Sequence, residues 1–571
     1  MKIQLNRLVI LFLAFFYFGN LYAQESYPQH DFRNPLSIPI QLIANFGEIR
    51  TDHFHMGLDI RTQSKEDLPI FAAAEGYISH IRIEKYGYGK AIFIRHPNGY
   101  TTLYAHLNSF YNALEQYVKD KQYKDEKWEQ DFELPANMFP VMKGQFIANS
   151  GSTGGTEGPH LHFEIRDTKT GANLDPLLFG FDVPDNIPPV IYSLFWYDRR
   201  YSVYNVAPQQ IPFIKKNNAY HTRDAIVKVG SPVITLGVRM EDMSNTSSFR
   251  YGVHHAALYM DDSLLFEFRL NNFLYDDSRY VNACMDYSKW MKSKQGIQYL
   301  SILPGNQLDI FEPLESDGKI LLADTSVHKI DIEISDEKQN TSSINFLLQL
   351  DDSLQKNYAL PEDAIVCDVN EVNNIETKSS KIHFDENAFY DALALRLFEG
   401  PSKKSNQISP TIHIGDYTIP VHTYYDVAIK TDVILNDSLK DKVVMQMRAG
   451  NASTVVSGEW QEDWILGSFD ELGDACLLID TIAPVIIPMG WKTGTIFKTQ
   501  KTVTIKCKDD ISRIQNFTGT LDGNWLMFAK KNDYFIYSFD EHCTNGSHTL
   551  TITATDVAGN VASQTFNFTK Q

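Results

Sequence analysis

The stretch Gly158-Pro159-His160-Leu161-His162-Phe163-Glu164 places two histidines one residue apart in a run with the apolar pattern of an extended strand. Successive side chains of a strand point to opposite faces, so His160 and His162 project from the same face. Two imidazoles on one rigid face make half of a metal site, and neutral imidazole suits zinc. A solvent-facing strand with alternating polar residues gives the same spacing by chance, so further ligands must come from elsewhere in the chain.

A second polar group lies upstream, in Asp52-His53-Phe54-His55-Met56-Gly57-Leu58-Asp59-Ile60. His55 and Asp59 are four residues apart, which would place them on one face of a helix. Gly57 and the β-branched Ile60 favour instead a turn that runs into a strand. Either geometry brings an imidazole and a carboxylate to one ion. The alternative is an ordinary surface loop that happens to be polar.

Short apolar strands separated by turns fill the region between the two groups. Turns are indicated at Glu75-Gly76, at 87–89 and at Pro97-Asn98-Gly99, and strand structure resumes after Lys143-Gly144-Gln145. This spacing predicts a mostly antiparallel β domain. His106 ends one of these strands, in Tyr104-Ala105-His106-Leu107, where a site residue is plausible.

Residues from about 112 to 137 differ in character from the strands around them. Leu114, Tyr117 and Val118 recur at helical spacing among charged and amide residues, which predicts an exposed amphipathic helix. The helix would form a wall or lid over a site near His106, or it would be a solvated excursion without a role.

Three motifs, in this order, resemble the lysostaphin-type (LytM-type) zinc metallopeptidases, a family of peptidoglycan endopeptidases. They are His55-x-Gly-x-Asp59, the strand end at His106, and a Gly-Ser-Thr-Gly loop followed by Gly-Pro-His160-Leu-His162. The resemblance covers roughly residues 38–178 and implies a compact, antiparallel duplicated hybrid motif fold. It implies Zn²⁺ held by His55, Asp59 and His162, with His106 and His160 as unligated catalytic histidines beside a bound water. The helical excursion departs from the shortest members of the family.

The implied ligand set is chemically sensible for a hydrolase. Three protein ligands leave a position open for water, and bound zinc lowers the pKa of that water to about 7. One of His106 and His160 would accept the proton of the water, while the other would stabilise the oxyanion and protonate the leaving amine. The sequence does not assign these two roles. Glu164 either supports His162 from behind or faces solvent.

An internal repeat begins at residue 185. Asp185-Asn-Ile-Pro-Pro-Val-Ile191 returns as Asp480-Thr-Ile-Ala-Pro-Val-Ile486. Similarly, His328 to Asp336, with Asn340 beyond it, returns as His548 to Asp556 with Asn560. The repeat predicts two copies of one β module. The second copy resembles a bacterial immunoglobulin-like domain, and the first is longer, with its extra residues expected in long loops around 271–318.

Composition and the N-terminus limit the remaining possibilities. Lys2 and Arg7 frame the start of a short apolar run that ends before Ala23, which is the pattern of a signal peptide. No later run is long and apolar enough to span a bilayer, so export to the periplasm or the cell surface is expected. The net charge of −19 argues against nucleic acid as a partner. Five sparse cysteines make no disulfide framework, and a pair between Cys507 and Cys543 is left open.

The expected fold class is mainly β, an antiparallel β metallopeptidase domain followed by β-sandwich modules. The expected domains are a signal peptide at 1–23, the zinc metallopeptidase at 24–185, an immunoglobulin-like module with an insertion at 186–355, a β domain of uncertain type at 356–479 and a second immunoglobulin-like module at 480–571.

The sequence therefore predicts a secreted zinc metalloendopeptidase that hydrolyses peptide cross-links of peptidoglycan, with the substrate implied by the resemblance. Two other classes are left open: a non-catalytic wall-binding regulator of other cell-wall hydrolases, and an adhesion protein that uses its β modules. Those modules are expected to space the enzyme from its polymer, or to bind envelope or surface proteins, a wall component or the enzyme's own groove.

Overall fold

Antiparallel strands dominate this computed structural model, which describes residues 27–217 and 219–571. The mainly β fold class is confirmed, with an antiparallel β domain first and β-rich modules after it. The predicted signal peptide at 1–23 lies outside the described residues. Within the described part, helices are all too short or too polar to cross a bilayer.

The first β domain holds twelve of the strands and a single longer helix among its described residues. Strands β1 to β12 are, in order, Leu42–Ala44, Leu58–Arg61, Pro69–Phe71, Gly76–Ile83, Lys90–Arg95, Tyr100–Ala105, Leu107–Phe110, Gln130–Glu133, Pro140–Val141, Phe146–Ser150, His160–Asp167 and Asn173–Leu174. Helix α1 is Asn112–Asp125, and a 3₁₀ turn covers Pro176–Phe179. The main sheet runs β1-β2-β11-β6-β5-β4-β8, beside a three-stranded sheet β3-β10-β7.

Period-two alternation in β11 separates the core of this domain from its polar face. Leu161 and Phe163 are fully buried in the apolar core, so His160 and His162 point to the opposite face. The neighbouring strands are in register with β11, since His162 lies opposite Asp59 of β2 on one side and Ala105 of β6 on the other. The strand that the sequence predicted is therefore an interior strand of the sheet, between β2 and β6.

The first module after this domain contains strands β13 to β25 and two short helices. The strands are Val190–Asp198, Gln209–Ile211, Phe213–Lys216, Ala219–Thr222, Ile226–Val229, Val233–Glu241, His255–Met260, Ser263–Arg269, Asn272–Phe273, Ile297–Tyr299, Ile320–Leu321, Val327–Ser335 and Thr341–Leu350. Helices α2 and α3 are Val281–Cys284 and Tyr287–Ser293, with 3₁₀ turns at Ser278–Tyr280 and Asp352–Leu354. Residues 271–318, expected as long loops, are thus partly folded into β21, β22, α2 and α3.

Part of this insertion docks on the first domain. Strand β21 pairs with β12, so Phe273 lies opposite Asn173. The Phe273 ring stacks on Phe46, with centroids 4.6 Å apart, and lies 5.6 Å from Phe54. All three rings are buried in the core of the module rather than in that of the first domain. Contacts with the module therefore hold the loop that precedes β2 in place.

Replacing Phe273 with alanine is expected to destabilise the protein by about 3–5 kcal/mol, because the change leaves a cavity between buried aromatic rings. Thermal unfolding of the full chain would show this as a lower midpoint of the first transition. The matched control is Phe249→Ala, which removes a phenylalanine that is 44% exposed. Equal midpoints for the two variants would show that Phe273 does not contribute to the docking.

The rest of the chain forms two further pairs of sheets. Strands β26 to β36 are Ala364–Cys367, Asn373–Glu376, Ser380–Phe384, Leu393–Gly400, Thr411–Ile414, Pro420–Lys430, Val443–Ala449, Ala452–Ser457, Glu459–Gln461, Trp464–Glu471 and Gly473–Ile479, with helix α4 at Asp437–Lys440. Strands β37 to β45 are Val485–Pro488, Thr495–Phe497, Thr502–Lys508, Ile514–Leu521, Asn524–Leu526, Ala529–Lys531, Tyr534–Ser538, Gly546–Asp556 and Val561–Lys570. Each group has its own buried core. Cys507 and Cys543 are both buried and unpaired.

Helix α1 connects the first domain to the last module. Its Leu114 and Val118 are buried in the core of the first domain. On the outer side, Lys119 Nζ lies 3.1 Å from a carboxylate oxygen of Asp540, and the Tyr123 ring stacks on His542 with centroids 3.6 Å apart. The last module therefore docks on this helix. The sequence predicted either a wall or lid over the site or a solvated excursion, and neither alternative included this role.

Candidate metal centre

Three side chains from two adjacent strands and the preceding loop meet at one point on the polar face of the main sheet. His55 lies in the loop before β2, Asp59 within β2, and His162 on β11 opposite Asp59. His55 Nε2 is 3.0 Å from Asp59 Oδ1 and 3.0 Å from His162 Nδ1, and Asp59 Oδ1 is 2.9 Å from His162 Nδ1. All three residues are buried. The structure brings together the three residues that the resemblance implies as ligands.

Hydrogen bonds on the far side of each imidazole decide which nitrogen faces the centre. His55 Nδ1 donates to the Asn45 carbonyl at 2.6 Å, which turns its Nε2 towards Asp59. His162 Nε2 donates to Glu164 Oε1 at 2.9 Å, which turns Nδ1 inward instead. Such outer partners fix the tautomer and orientation of a metal-binding histidine. Both imidazoles therefore direct one ring nitrogen to the same point, and each could bind a metal there in its neutral form.

The donor set fits a zinc ion. Two imidazole nitrogens and a carboxylate oxygen are typical zinc ligands, and three protein ligands leave a position open for catalysis. Ligand atoms at tetrahedral angles and about 2.0–2.1 Å from zinc would lie roughly 3.3 Å apart, close to the spacing between the three donors. The same three residues form the compact cluster of possible ligands that the described part of this domain contains.

The two other predicted histidines flank the cluster. His106 has a positive φ of 58°, between β6 and β7, and its Nδ1 donates to the Thr153 carbonyl at 2.8 Å. His160 Nδ1 is 3.0 Å from the Gly158 carbonyl, and its Nε2 is 3.4 Å from Asp59 Oδ1. The two rings are 4.7 Å apart. With Nδ1 engaged by a carbonyl in each case, Nε2 is the nitrogen that each ring turns away from that carbonyl, and in His160 it faces Asp59.

Burial and neighbouring charges set the protonation of the cluster. Burial alone would raise the pKa of Asp59, but His55 and hydrogen bonds from His160 and His162 hold it well below its usual range. Burial, together with His160 and His162, lowers the pKa of His106 to about 3. Asp59 is therefore an anion and His106 a neutral imidazole at neutral pH, which are the forms that a metal ligand and a proton acceptor require.

Glu164 is buried and anchors the back of the site. Besides His162, its carboxylate accepts from Arg166 Nε at 2.7 Å and from Asn173 Nδ2 at 2.7 Å. Burial opposes the charge, but Arg166 and His162 lower the pKa of Glu164 to about 2. Of the two possibilities open from the sequence, support of His162 is the one that the geometry favours.

Two contributors near the centre were not singled out by sequence reasoning. The Asn45 carbonyl orients His55, a role for which the residue type carries no signal because every residue has a carbonyl group. Arg50 Nη2 lies 3.6 Å from Asp59 Oδ2 and pairs with Glu48 at 3.0 Å. The only sequence signal for Arg50 was its place in the run 45–50 directly before the ligand loop.

Replacing Glu164 with glutamine is expected to weaken zinc binding about 10–100-fold, because the amide cannot supply the charge that orients His162 and raises its basicity. Competition titration against a chelating dye would measure the zinc dissociation constant. Glu157→Gln, in the exposed glycine-rich loop, is the matched control. Zinc affinities that agree between the two variants would exclude the supporting role.

Comparisons with known families and proteins find similarity in two parts of the chain. The sequence profile of peptidase family M23 matches residues 53–123, and that of a Zu5-like domain matches residues 364–480. The DD-carboxypeptidase/endopeptidase Mpg of Neisseria meningitidis serogroup B is 32% identical over 137 residues, which are 24% of this chain and 25% of Mpg. The murein hydrolase activator NlpD of Salmonella typhimurium is 30% identical over 139 residues, 24% of this chain and 29% of NlpD. The chain thus spans about a quarter of the length of these relatives.

Solved structures with a similar domain include two peptidases. The catalytic domain of lysostaphin from Staphylococcus simulans is 23% identical, with a TM-score of 0.19, and covers 24% of this chain and 91% of that domain. A zinc-containing peptidase from Vibrio cholerae is 25% identical, with a TM-score of 0.18, and covers 27% of this chain and 41% of that protein.

Proposed function

We propose that this chain, which carries a peptidase family M23 domain, is an exported zinc endopeptidase that hydrolyses peptide cross-links of peptidoglycan. The observation that carries the proposal is the convergence of His55, Asp59 and His162 within about one hydrogen-bond length of each other, beside two histidines whose Nδ1 atoms are held by backbone carbonyls. A purely structural cluster would not need both the ligand set and the flanking pair.

His55, Asp59 and His162 would hold Zn²⁺, which would supply Lewis acidity and lower the pKa of a water molecule. His106 and His160 then handle protons at Nε2. One would accept a proton from the attacking water, while the other, in its protonated form, would donate a hydrogen bond to the developing oxyanion and then protonate the leaving amine. Thr153 and Gly158 hold the two rings in position through their carbonyls.

The proposed location of this chemistry is the cell envelope. A signal peptide at 1–23 directs export to the periplasm or cell surface, and the names of relatives, which refer to murein and to cell division, support an envelope location. The peptidase domain at 24–185 is followed by immunoglobulin-like modules at 186–355 and 480–571, with a further β domain at 356–479 between them. These three serve as spacers or as binding surfaces for envelope proteins.

A non-catalytic regulator of other wall hydrolases is the second candidate. The similarity to NlpD, named as a murein hydrolase activator, favours it. The complete set of three ligands and two flanking histidines favours the enzyme instead, because a regulator needs no open metal position. For an adhesion protein we find no comparable support.

One experiment separates the candidates. The full exported chain from residue 24, loaded with zinc, is incubated with purified peptidoglycan sacculi, alone and together with a cell-wall amidase. An endopeptidase releases cleaved cross-link peptides when alone, as seen by liquid chromatography and mass spectrometry. A regulator releases nothing alone but accelerates the amidase. Intact cross-links in both arms, with stoichiometric zinc bound, would reject peptidoglycan as the substrate.

A further inference from the structure

Both copies of the repeated module contain a cluster of three aspartates. In the first module these are Asp185, Asp242 and Asp336, and in the last they are Asp480, Asp509 and Asp556. In each cluster, one carboxylate oxygen from every residue lies within 4.8 Å of the others. Neither cluster belongs to the peptidase site, and each lies where a module joins the domain before it.

The three aspartates occupy the same places in the two copies. Asp185 and Asp480 precede the first strand of their module, β13 or β37. Asp242 and Asp509 follow the strand that pairs with it, β18 or β39, whose last residues Glu241 and Lys508 lie opposite Val190 and Val485. Asp336 follows β24, and Asp556 ends β44, before a hairpin in each case. An arrangement repeated in two diverged copies needs a common cause.

The hydrogen bonds inside the clusters occupy only some of the positions at which the carboxylate oxygens can accept. Asp336 and Asp556 accept from the side-chain amides of Asn340 and Asn560, at 2.7 and 2.9 Å. Asp480 Oδ1 accepts from the Ile482 amide at 3.2 Å. These contacts position the carboxylates without neutralising their charge.

Three carboxylate oxygens in the clusters are buried without any hydrogen-bond partner among the described residues: Asp242 Oδ1, Asp480 Oδ2 and Asp509 Oδ2. Asp242 is only 2% exposed and its Oδ1 makes no hydrogen bond. Asp480 is fully buried and its Oδ2 makes none. Asp242 and Asp185 also line one small cavity between the first domain and the module. An unpaired buried carboxylate oxygen costs free energy unless a cation or proton meets it.

Neighbouring carboxylates increase the free-energy cost of these unpaired oxygens. Burial, with Glu337, Asp336 and Asp185 close by, raises the pKa of Asp242 to about 9. Burial, with Asp509, Asp556 and Asp510 close by, raises the pKa of Asp480 to about 6. Lys338 partly offsets the charge near Asp185. Three carboxylates in one place repel each other, and a divalent cation would convert that repulsion into attraction.

We propose that each aspartate cluster is a calcium site that fixes the junction between a module and the domain before it. Only oxygen donors are present, which suits a hard cation rather than zinc. Calcium–oxygen distances of about 2.3–2.6 Å allow ligand oxygens to lie up to roughly 5 Å apart, which accommodates both clusters. Calcium also accepts the irregular geometry that a loop and two strand ends provide, whereas magnesium demands a near-ideal octahedron. Because Asp185 and Asp480 lie in the connecting segments, bound calcium ties each connection to its module.

The test is a calcium titration of the full chain with the peptidase site kept loaded with zinc. Protein freed of calcium on a chelating resin and reloaded with zinc is titrated with CaCl₂ by calorimetry, and thermal unfolding is followed in parallel. Wild type is expected to bind two calcium ions, one per cluster, and to unfold at higher temperature with calcium. Asp242→Asn and Asp509→Asn should each bind one, and the double variant none.

Two controls make the outcome decisive. Asp262→Asn, which changes an aspartate whose side chain is 85% exposed, and Asp59→Ala, in the peptidase site, should both retain two calcium sites. Without calcium, Asp242→Asn should unfold at the same temperature as wild type or higher, because it removes like-charge repulsion. The absence of a calcium response in folded wild type, or calcium binding by the double variant, would overturn the proposal. Equal responses to magnesium would overturn the assignment to calcium.

Discussion

Asp59→Ala is expected to yield a folded protein that retains no stoichiometric zinc and cleaves no peptidoglycan. Asp59 is the only acidic member of the ligand cluster, and its Oδ1 lies within 3.0 Å of both ligand nitrogens. Two neutral imidazoles are too few to hold a catalytic zinc, which takes three protein ligands. Metal analysis of the purified protein and a digest of sacculi would measure both losses.

The matched control for this variant is Asp52→Ala, in the same loop. Asp52 is an exposed aspartate whose side chain contacts His53 and not the cluster. Its replacement should leave zinc content and cleavage unchanged. Stoichiometric zinc in Asp59→Ala would remove Asp59 from the ligand set, and undiminished cleavage would reject the zinc mechanism itself.

A local rule predicted that His160 and His162 share one face, whereas the full set of candidate site residues was implied by the resemblance to a known family. Strand alternation puts His160 and His162 on one face whatever the tertiary fold, and the structure places that strand against Asp59. Local rules could not predict which nitrogen of each imidazole faces the cluster. His55 points inward through Nε2 and His162 through Nδ1, because one bonds a backbone carbonyl and the other a carboxylate, and only the register of the folded sheet decides which partner each ring meets.

The strands and the internal repeat could be predicted from the sequence, but the contacts between the domains could not. The repeated segments at 185 and 480 could be found because the same side chains recur at the same spacing. The contact between Phe273 and Phe46 joins segments that are far apart in the chain, and nothing in either segment alone identifies its partner. The same applies to α1, whose periodicity predicted a helix but not that Tyr123 would stack on His542 of the last module.

His106→Ala and His160→Ala are expected to retain zinc while losing turnover. Each ring contacts the cluster from the side, and neither supplies one of the three converging donors. Loss of a residue that transfers a proton or stabilises the oxyanion typically lowers the rate about 10²–10⁴-fold. Rates of cross-link cleavage, measured at equal zinc content, would reveal the loss as a fall in kcat.

The comparison between these two variants and His53→Ala tests the division of roles. His53 is partly exposed in the ligand loop and bonds only to Asp52, so its replacement controls for loss of an imidazole near the site. Loss of zinc from His160→Ala would show that His160 is a ligand. Its Nε2 lies 3.4 Å from Asp59 Oδ1, which is close enough for this outcome to be tested. Retained zinc with retained turnover in both variants would mean that proton transfer uses other groups. Retained zinc with turnover lost in both, and kept in His53→Ala, is the outcome that this geometry predicts, since three donors converge and the two other histidines flank them.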